Sequence, residues 1–415
     1  MREQVARTVC GLSALVLGIA ASALAQPAKF EDVVRNLKNP DHKVRISAVR
    51  LLREAGYTEA IVPMAPLVND PVNAIQLEAI DSELSFYLVE PIQSTKRVAF
   101  VVEVPTDGRA PVAFDAGPLA VWPKAAPQEL IDALLTAVDD DNKKVRVEAI
   151  YTLGVVGGAT GGTLSEAAAG RLVKALDHPD SAVRAGAARV VGRLKVKTAT
   201  DGLLKAVNDS SSAVRFAAIR ALGEIRDERA IQAITDQLKY YEKGEGAIAS
   251  IEALARIAHT SSAPVFAARV DDPNPRIRRA AIEGLARAGD REMVANLVFD
   301  VNQDESDIVR AAMTYALHRQ GYANYLGRMV DFMYYPEPAR QIQGYLLEMG
   351  GSIVPGVLPR LQDPDPGVRE RLATVLGALG DQSTAAALTP LKRDSAREVA
   401  SAATHAIERI KMAQK

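Results

Sequence analysis

Histidine and glutamate are the residue types in this chain that could bind a catalytic metal, because paired His and Glu ligands hold iron in many helical proteins. The chain has five histidines, and none is followed directly by glutamate. They lie in separate segments and form no convergent ligand set, so we predict no metal and no other cofactor. The five are His42, His178, His259, His318 and His405.

Two further chemistries are excluded by single features. The glycine-rich stretch GVVGGATGG at 154–162 lacks the Gly-Lys-Ser/Thr ending of a phosphate-binding loop, so we interpret it as a lengthened turn. Cys10 is the only cysteine, so the chain beyond it has no disulfide, thiolate nucleophile or cysteine-ligated metal. We therefore predict no catalytic residue.

The first 25 residues have the features of a signal peptide. Arg2 and Arg7 form a basic start, an apolar stretch occupies 9–24, and the tripeptide Ala-Leu-Ala at 23–25 offers the small residues that signal peptidase reads. The apolar stretch is shorter than the roughly 20 residues of a spanning helix, which favours cleavage after Ala25 over an uncleaved anchor. The sequence therefore predicts an exported protein, in the periplasm or outside the cell.

Charge and hydropathy exclude two classes of partner. The 50 basic and 51 acidic residues give a formal net charge of −1, without the basic balance that is typical of nucleic-acid binding. No second long apolar segment follows the first, so no transmembrane segment is predicted after signal cleavage. Aromatic residues make up only 5% of the chain, while alanine is abundant. This composition favours stacked helices, because small side chains let helices approach closely.

A Val-Arg or Ile-Arg pair recurs along the chain at a spacing of about 31 residues, which is typical of a repeat architecture. An arginine in the first turn of a helix opposes the helix dipole, and aspartates in neighbouring turns are placed to compensate it. We therefore predict a structural Asp–Arg ladder between repeats. Its arginines are Arg45, Arg146, Arg184, Arg215, Arg278, Arg310 and Arg369.

Each pair begins the second helix of a helix–turn–helix unit that recurs about eleven times. One helical pair cannot bury its apolar face alone, so neighbouring pairs must stack. The predicted organisation places repeats 1 and 2 in 26–90, an insertion in 91–126 and repeats 3 to 11 in 127–415. With pairs about 10 Å apart, a straight stack would form a rod about 100 Å long.

The stretch NDSSSAVRFAAIRALGEIRDERA at 208–230 resembles the short HEAT-like repeats of the phycobilin-lyase type. The resemblance covers nearly all of the chain after the signal segment except about 91–126. It implies an all-α, right-handed α-solenoid whose second helices line a concave surface. It also leaves two enzyme classes open, because such repeats occur in lyases that act on a chromophore without a cofactor and in di-iron hydroxylases.

Two positions of each second helix, one turn apart, fall off the buried stripe and would lie on that concave surface. Their composition changes along the chain from charged pairs, which could simply form i,i+4 ion pairs, to Tyr, Arg and Met, which are typical of interface anchors. The predicted partner-binding stripe consists of Arg189, Arg193, Arg220, Glu252, Arg256, Glu283, Arg287, Tyr315, Arg319 and Tyr345.

The insertion departs from the repeat pattern. Residues 98–104 are β-prone on both faces, and 112–114 can return as a second strand after a turn, so we predict a small β-hairpin near 96–122. A lone hairpin is marginal in water and needs to pack on the helices. It is either a patch over an irregular joint or an arm that recruits a partner. The side chains expected to pack it are Phe100, Phe114 and Trp122.

These observations predict an exported, non-catalytic scaffold or adaptor that holds a protein or peptide on the concave face of a helical solenoid. Two alternatives stay open. One is a HEAT-repeat enzyme of the lyase or di-iron oxidoreductase type, and the other is a purely structural component of the cell envelope.

Overall fold

The computed structural model describes residues 29–91, 95–98, 102–105, 108–159 and 164–414. The predicted signal peptide lies outside the described residues. Within them, no helix combines the length and the apolar composition needed to cross a membrane.

The described residues form eleven helical pairs and one additional helix, α5, in the insertion. In chain order they are α1 (Phe30–Asn36), α2 (His42–Glu54), α3 (Ile61–Met64), α4 (Asn73–Ser85), α5 (Arg109–Ala116), α6 (Gln128–Ala137), α7 (Lys143–Gly157), α8 (Glu166–Lys174), α9 (Ser181–Arg193), α10 (Thr200–Ala206), α11 (Ser212–Ile225), α12 (Ile231–Tyr241), α13 (Gly244–Ile257), α14 (Ala263–Ala267), α15 (Pro275–Ala288), α16 (Arg291–Asp300), α17 (Asp307–Arg319), α18 (Tyr325–Asp331), α19 (Pro336–Met349), α20 (Val354–Val357), α21 (Pro366–Leu379), α22 (Ala385–Leu388) and α23 (Arg397–Met412).

Short polar side chains cap the N-terminus of five of the eleven second helices. Each accepts a hydrogen bond from a backbone N–H two or three residues further on, which satisfies a donor that has no partner inside the helix. The starts of these five helices therefore follow from the Asp and Asn residues in the turns between the repeats. The capping residues are Asp41, Asn142, Asp180, Asn274 and Asp365.

Small residues let consecutive second helices approach closely. A Cβ added to Gly192 of α9 would stand 2.7 Å from the Cα of Ala221, and one added to Gly377 of α21 would stand 2.5 Å from the Cα of Ala406. The backbones therefore meet with only hydrogens or methyl groups between them, which explains the abundance of alanine. The stacked pairs confirm the predicted all-α solenoid.

Most ladder arginines bind an aspartate in the turn of the next repeat. Arg184 donates from Nε and Nη2 to the Asp209 carboxylate at 2.8 and 2.9 Å, and from Nη1 to the carbonyl oxygen of His178 at 2.9 Å. The hydrogen bond from Arg184 lowers the pKa of Asp209, so the pair is charged at neutral pH. The same pairing joins Arg45 to Asp70, Arg146 to Asp180, Arg278 to Asp304 and Arg369 to Asp394.

Two ladder positions differ from the prediction. Arg215 donates to the phenol oxygen of Tyr241 at 2.7 Å. Arg310 pairs with Asp307 in its own helix and lies 5.9 Å from the ring centre of Phe332. An aromatic residue of the next repeat faces the arginine in both cases, so the predicted Asp–Arg contact between repeats is wrong at these two positions.

The predicted β-hairpin near 96–122 is wrong in its register and extent. Strand β1 (Thr95–Val98) pairs antiparallel with β2 (Val102–Pro105), so the chain reverses within the segment predicted as one strand. The predicted second strand, Val112–Phe114, lies inside α5. Phe100 lies outside the described residues.

Tertiary contacts explain why 109–116 is helical in spite of its β-prone residues. The buried carboxylate of Glu148 in α7 accepts a hydrogen bond from the backbone N–H of Ala110 at 3.0 Å, at the start of α5. Gly108 precedes the helix with φ 144°, and a Cβ there would stand 1.5 Å from an oxygen of Glu148. A carboxylate at a helix N-terminus favours the helix, and this signal comes from a distant part of the chain.

Candidate partner-binding surface

Residues 109–122 cross the inner face of the solenoid, and we call them the strap. The inner face is the side of the second helices that carries the predicted stripe. One end of the strap is fixed by Arg109, which pairs with Asp81 at 2.5 Å. At the other end the backbone N–H of Trp122 donates to the carbonyl oxygen of Tyr87 at 2.8 Å. Both ends are therefore held by α4 and the residues that follow it.

Two arginines of the predicted stripe bind Phe114 of the strap. The guanidinium carbons of Arg189 and Arg193 lie 5.1 and 4.2 Å from the centre of its ring, within the range of cation–π attraction. Tyr151 meets the same ring edge-on at 5.4 Å. Phe114 is only 3% exposed, and Gly154 below it leaves no room for a Cβ. The strap therefore fills a tight aromatic pocket between α7 and α9.

Asp115 joins two distant parts of the inner face. Its carboxylate pairs with Arg189 of α9, and its carbonyl oxygen accepts a hydrogen bond from Arg340 of α19. These helices are five repeats apart, which would separate them by about 50 Å in a straight stack. Because both reach one strap residue, the solenoid curls round the strap. The expectation of a straight rod is therefore wrong.

Arg409 holds the main chain of the strap from the last repeat. It donates to the carbonyl oxygens of Pro118 and Leu119 at 3.1 and 3.2 Å, and to that of Val121. Burial lowers the pKa of this arginine. Trp122 meets the His405 ring edge-on at 5.5 Å. These contacts join the strap to α23, and we call this junction the closure.

A cavity of about 710 Å³ remains between the strap and the last repeats. Its walls come from Ala116, Leu119 and Ala120 of the strap, from 89–91 and from residues of α19, α21 and α23. This volume lies in the range of small-ligand pockets. The polar side chains that line it include Glu90, Arg340, Glu370, Arg371, Glu398 and Arg409.

The tyrosines of the predicted stripe are buried, so their interpretation as exposed interface anchors is wrong. Tyr315 and Tyr345 stack with ring centres 4.1 Å apart and an interplanar angle of 17°. The Tyr345 hydroxyl donates to Glu283 at 2.6 Å, and the Tyr315 hydroxyl donates to Glu348 at 2.8 Å. These side chains therefore pack within the solenoid itself.

Arginines neutralise the two carboxylates that the tyrosines contact. Arg287 donates to Glu283 at 3.0 Å and to Glu348 at 2.8 Å. Burial alone would raise the pKa of Glu283, but the charges of Arg287 and Arg279 hold it below its usual value. Glu283 is therefore a buried, paired carboxylate, although the sequence placed it on an exposed stripe. The sequence also allowed an i,i+4 ion pair between Glu283 and Arg287, and this pair is present.

The remaining stripe residues form ion pairs across repeats. Arg256 binds Glu224 of the preceding second helix at 3.1 Å, instead of Glu252 in its own helix. Arg220 binds Glu245 at 3.1 Å. Arg279 forms an ion pair with Glu252, and Arg319 lies 3.8 Å from Glu348. The pairs Arg256–Glu224 and Arg279–Glu252 line a polar cleft of about 320 Å³ that also includes Arg340.

Sequence reasoning missed four residues of this surface. Arg340 stands in the repeating arginine column but leaves the ladder for the strap. Arg409 occupies in the last repeat the helix position that Arg193 and Arg256 occupy in theirs, although it was not among the predicted stripe residues. Asp115 and Glu348 had no local signal at all. Their contacts join residues between 33 and 291 positions apart, so no periodicity within a repeat could indicate them.

The described residues contain no group of three or more His, Cys, Asp or Glu side chains placed to hold a metal ion. The five histidines lie in separate repeats. His405 reaches the closure, while His178 lies 3.9 Å from Asp139 and His259 lies 3.8 Å from Glu228.

Comparison with solved structures finds similar chains at low identity. An engineered protein is 19% identical over 92% of this chain and 98% of its own, with a TM-score of 0.40. The complex of CpcE and CpcF of phycocyanin lyase from Nostoc sp. PCC7120 is 18% identical over 60% and 96%, with a TM-score of 0.36. A designed armadillo repeat protein in complex with the peptide (KR)4 is 17% identical over 63% and 99%, with a TM-score of 0.34. No curated protein matches the chain.

Comparison with family models identifies the repeats. The family described as HEAT repeats matches 168–245, 242–318 and 348–414, which together make up just over half of the chain. The matched segments contain the second helices α9 to α17 and α21 to α23, with their ladder arginines and close glycine contacts. The chain belongs to the HEAT-repeat family.

Proposed function

We propose that this protein is an exported, non-catalytic scaffold or adaptor that binds a protein or peptide partner on the inner face of its solenoid. One observation carries the proposal. The inner face already binds a segment of polypeptide, because Arg193, Arg340 and Arg409 donate to main-chain carbonyl oxygens of the strap. Main-chain carbonyls are common to every polypeptide, so the same donors suit a segment from a partner.

The aromatic pocket adds selectivity to this main-chain binding. Arg189 and Arg193 hold the ring of Phe114, and Arg189 also pairs with the carboxylate one residue later. Large aromatic and arginine side chains in desolvated pockets supply most of the binding energy at protein interfaces. The strap therefore provides a probe for what this face recognises.

The test supplies the strap as a separate peptide. In one variant, 109–122 is replaced by a Gly-Ser linker of equal length, and a labelled peptide RAPVAFDAGPLAVW is added. Fluorescence anisotropy should show saturable binding. A matched peptide with alanine at the positions of Phe114 and Asp115 should bind more weakly, because it lacks the ring and the carboxylate that Arg189 and Arg193 contact.

Circular dichroism and unfolding curves show whether the linker variant is folded. The intact Phe114→Ala chain, which empties the pocket without shortening the protein, serves as a second recipient for both peptides. A folded recipient that binds neither peptide, or both equally, would overturn the proposal.

Export is the part of the proposal that rests on the sequence alone. The basic start, the apolar stretch and the small residues at 23–25 support removal of a signal peptide after Ala25. Expression of the full chain in a Gram-negative host should give a periplasmic or secreted product that begins at Gln26. A full-length product retained inside the cell would contradict export, without bearing on the inner face.

A further inference from the structure

The strap occupies the donors that a partner segment would need. Arg193 donates to the carbonyl oxygen of Phe114 at 3.2 Å and lies against its ring, and Arg340 donates to the carbonyl oxygen of Asp115. The ring of Phe114 is buried, so no second aromatic side chain can enter its pocket while the strap is in place. A polypeptide that binds these groups must therefore compete with Phe114 and Asp115 of the same chain.

Positive charge exceeds negative charge where the strap binds. Arg189, Arg193 and Arg340 share Asp115, the one carboxylate within 4 Å of any of them among the described residues. Arg189 pairs with that carboxylate, while Arg193 and Arg340 donate only to neutral carbonyl oxygens. Burial lowers the pKa of Arg193, and the charges of Arg189 and Arg340 add to this effect, although Glu224 and Asp115 oppose it. Two arginines of this surface therefore lack a counter-charge.

The neighbouring carboxylates do not supply the missing charge, because they are paired with other arginines. Glu224 binds Arg256 at 3.1 Å, and Glu348 binds Arg287 at 2.8 Å. Arg340 is exposed, so a carboxylate of an incoming segment can reach it. The surface under the strap therefore favours a segment with more negative charge than the strap itself carries.

Glycines flank the helix of the strap. Gly108 precedes α5 with φ 144°, and Gly117 follows it with φ 82°, backbone conformations that glycine adopts more readily than other residues. Hinge motions concentrate at a few residues at the ends of elements, where the chain absorbs changes in φ and ψ. The two glycines therefore allow α5 to leave the inner face as one piece.

We propose that the strap is an internal competitor for this surface, and that the partner segment that displaces it carries an aromatic residue followed by two or more acidic residues. The inference rests on the proposed function and deepens it by naming the chemistry of the partner and the regulation of its binding. The aromatic side chain replaces Phe114, and the first carboxylate replaces that of Asp115. Further carboxylates pair with Arg193 and Arg340, which the strap leaves without a counter-charge.

The probe is the labelled peptide acetyl-Ala-Phe-Asp-Asp-Asp-Ala-amide. Its binding to the intact parent and to the full-length variant Phe114→Ala with Asp115→Ala, which vacates the pocket, is measured by fluorescence anisotropy. A tethered segment has an effective concentration in the millimolar range, so the vacated variant should bind the probe at least about tenfold more tightly than the parent. Equal affinities would overturn the inference, because the strap would then not compete.

A second peptide tests the preference for negative charge. The control acetyl-Ala-Phe-Asp-Ala-Ala-Ala-amide carries one carboxylate, as the strap does, and should bind the vacated variant roughly fivefold more weakly than the probe, the effect of one partly exposed ion pair. Adding Arg340→Gln to that variant should reduce the difference between the peptides. Adding Arg291→Gln, an exposed position on α16, should leave the difference unchanged.

Equal binding of the two peptides, or equal effects of Arg340→Gln and Arg291→Gln, would also overturn the inference. Circular dichroism shows whether the vacated variant is folded, and the linker variant replaces it if it is not. The strap peptide tests the proposed function separately. If the linker variant binds the strap peptide but shows no preference for the acidic probe, the inference fails while the proposed function stands.

Discussion

A buried charge in this protein is retained where it is paired. The carboxylate of Glu283, which Tyr345 contacts, illustrates this. The Tyr345 hydroxyl donates to the Glu283 carboxylate at 2.6 Å and accepts a hydrogen bond from Gln341. Its burial and the negative charge of Glu283 raise the pKa of this phenol well above its usual value, so it stays a donor at every physiological pH. Removing this donor would leave a buried carboxylate oxygen with one partner fewer.

Tyr345→Phe should therefore lower the free energy of unfolding by about 1.5 to 3 kcal/mol, the usual contribution of a hydrogen bond to a charged group. Tyr335→Phe is the matched control, because Tyr335 is 52% exposed. Urea unfolding of the two variants and the parent checks this prediction. Equal stabilities for the two variants would show that the hydrogen bond contributes nothing.

Glu83 shows the opposite case, a buried carboxyl group without a partner. It occupies a leucine position of the second repeat, is fully buried, and neither of its oxygens accepts a hydrogen bond among the described residues. Burial raises its pKa well above the ordinary value near 4.5, and the charge of Lys124 opposes the shift only in part. The group is therefore held as the neutral acid.

This shift predicts a pH-dependent stability. Above about pH 4.5 the unfolded chain loses the Glu83 proton while the folded chain keeps it, so folding is penalised by about 1.4 kcal/mol for each pH unit up to the raised pKa. Glu83→Gln replaces the ionisable carboxyl group with a neutral amide and so removes the penalty. Its stability relative to the parent should rise between pH 5 and pH 7 in urea unfolding. A difference that does not change with pH would contradict the raised pKa.

At the scale of elements, the strap depends on how closely α5 packs on α7. A Cβ on Gly154 would stand 2.7 Å from the Phe114 ring and 2.7 Å from a methyl group of Val190. Gly170 in α8 has the same residue type in a helix, but nothing lies within 4 Å of its Cβ position. Comparing an alanine substitution at each glycine therefore distinguishes the effect of strap packing from the effect of helix propensity.

Gly154→Ala should destabilise the protein by about 1 to 3 kcal/mol, because overpacking displaces Phe114 or Val190. Gly170→Ala should be neutral or stabilising by up to about 1 kcal/mol, because alanine is the better helix former. Chemical unfolding of both variants measures the difference. Equal effects would mean that the strap is not packed on α7 as the structure has it.

The helical pairs and most of the ladder could be predicted because their signals are local. Asp209 and Arg184 lie one repeat apart, and the spacing that places them recurs along the chain. The buried tyrosines could not be placed, because a helical stripe does not show which later helix will cover it. The strap helix was missed because its N-terminal partner, Glu148, lies 38 residues away and overrides a β-prone sequence.

At the scale of the whole molecule, the strap turns a stack of repeats into a closed arc. A straight solenoid would keep α9 and α19 far apart, whereas Arg189 and Arg340 meet the same strap residue. Each repeat contributes a small rotation, and a few side chains at the closure hold the accumulated curvature. The inner face is therefore a shaped site between the strap and the last repeats.

Acrylamide quenching of Trp122 fluorescence tests this closure most directly, because the only tryptophan of the chain lies against His405 of α23. Arg409→Ala removes the hydrogen bonds to Pro118, Leu119 and Val121 without altering the strap itself. If the last repeat closes on the strap, quenching is weak in the parent and clearly stronger in Arg409→Ala. Strong quenching already in the parent, with no change in the variant, would contradict the closed solenoid.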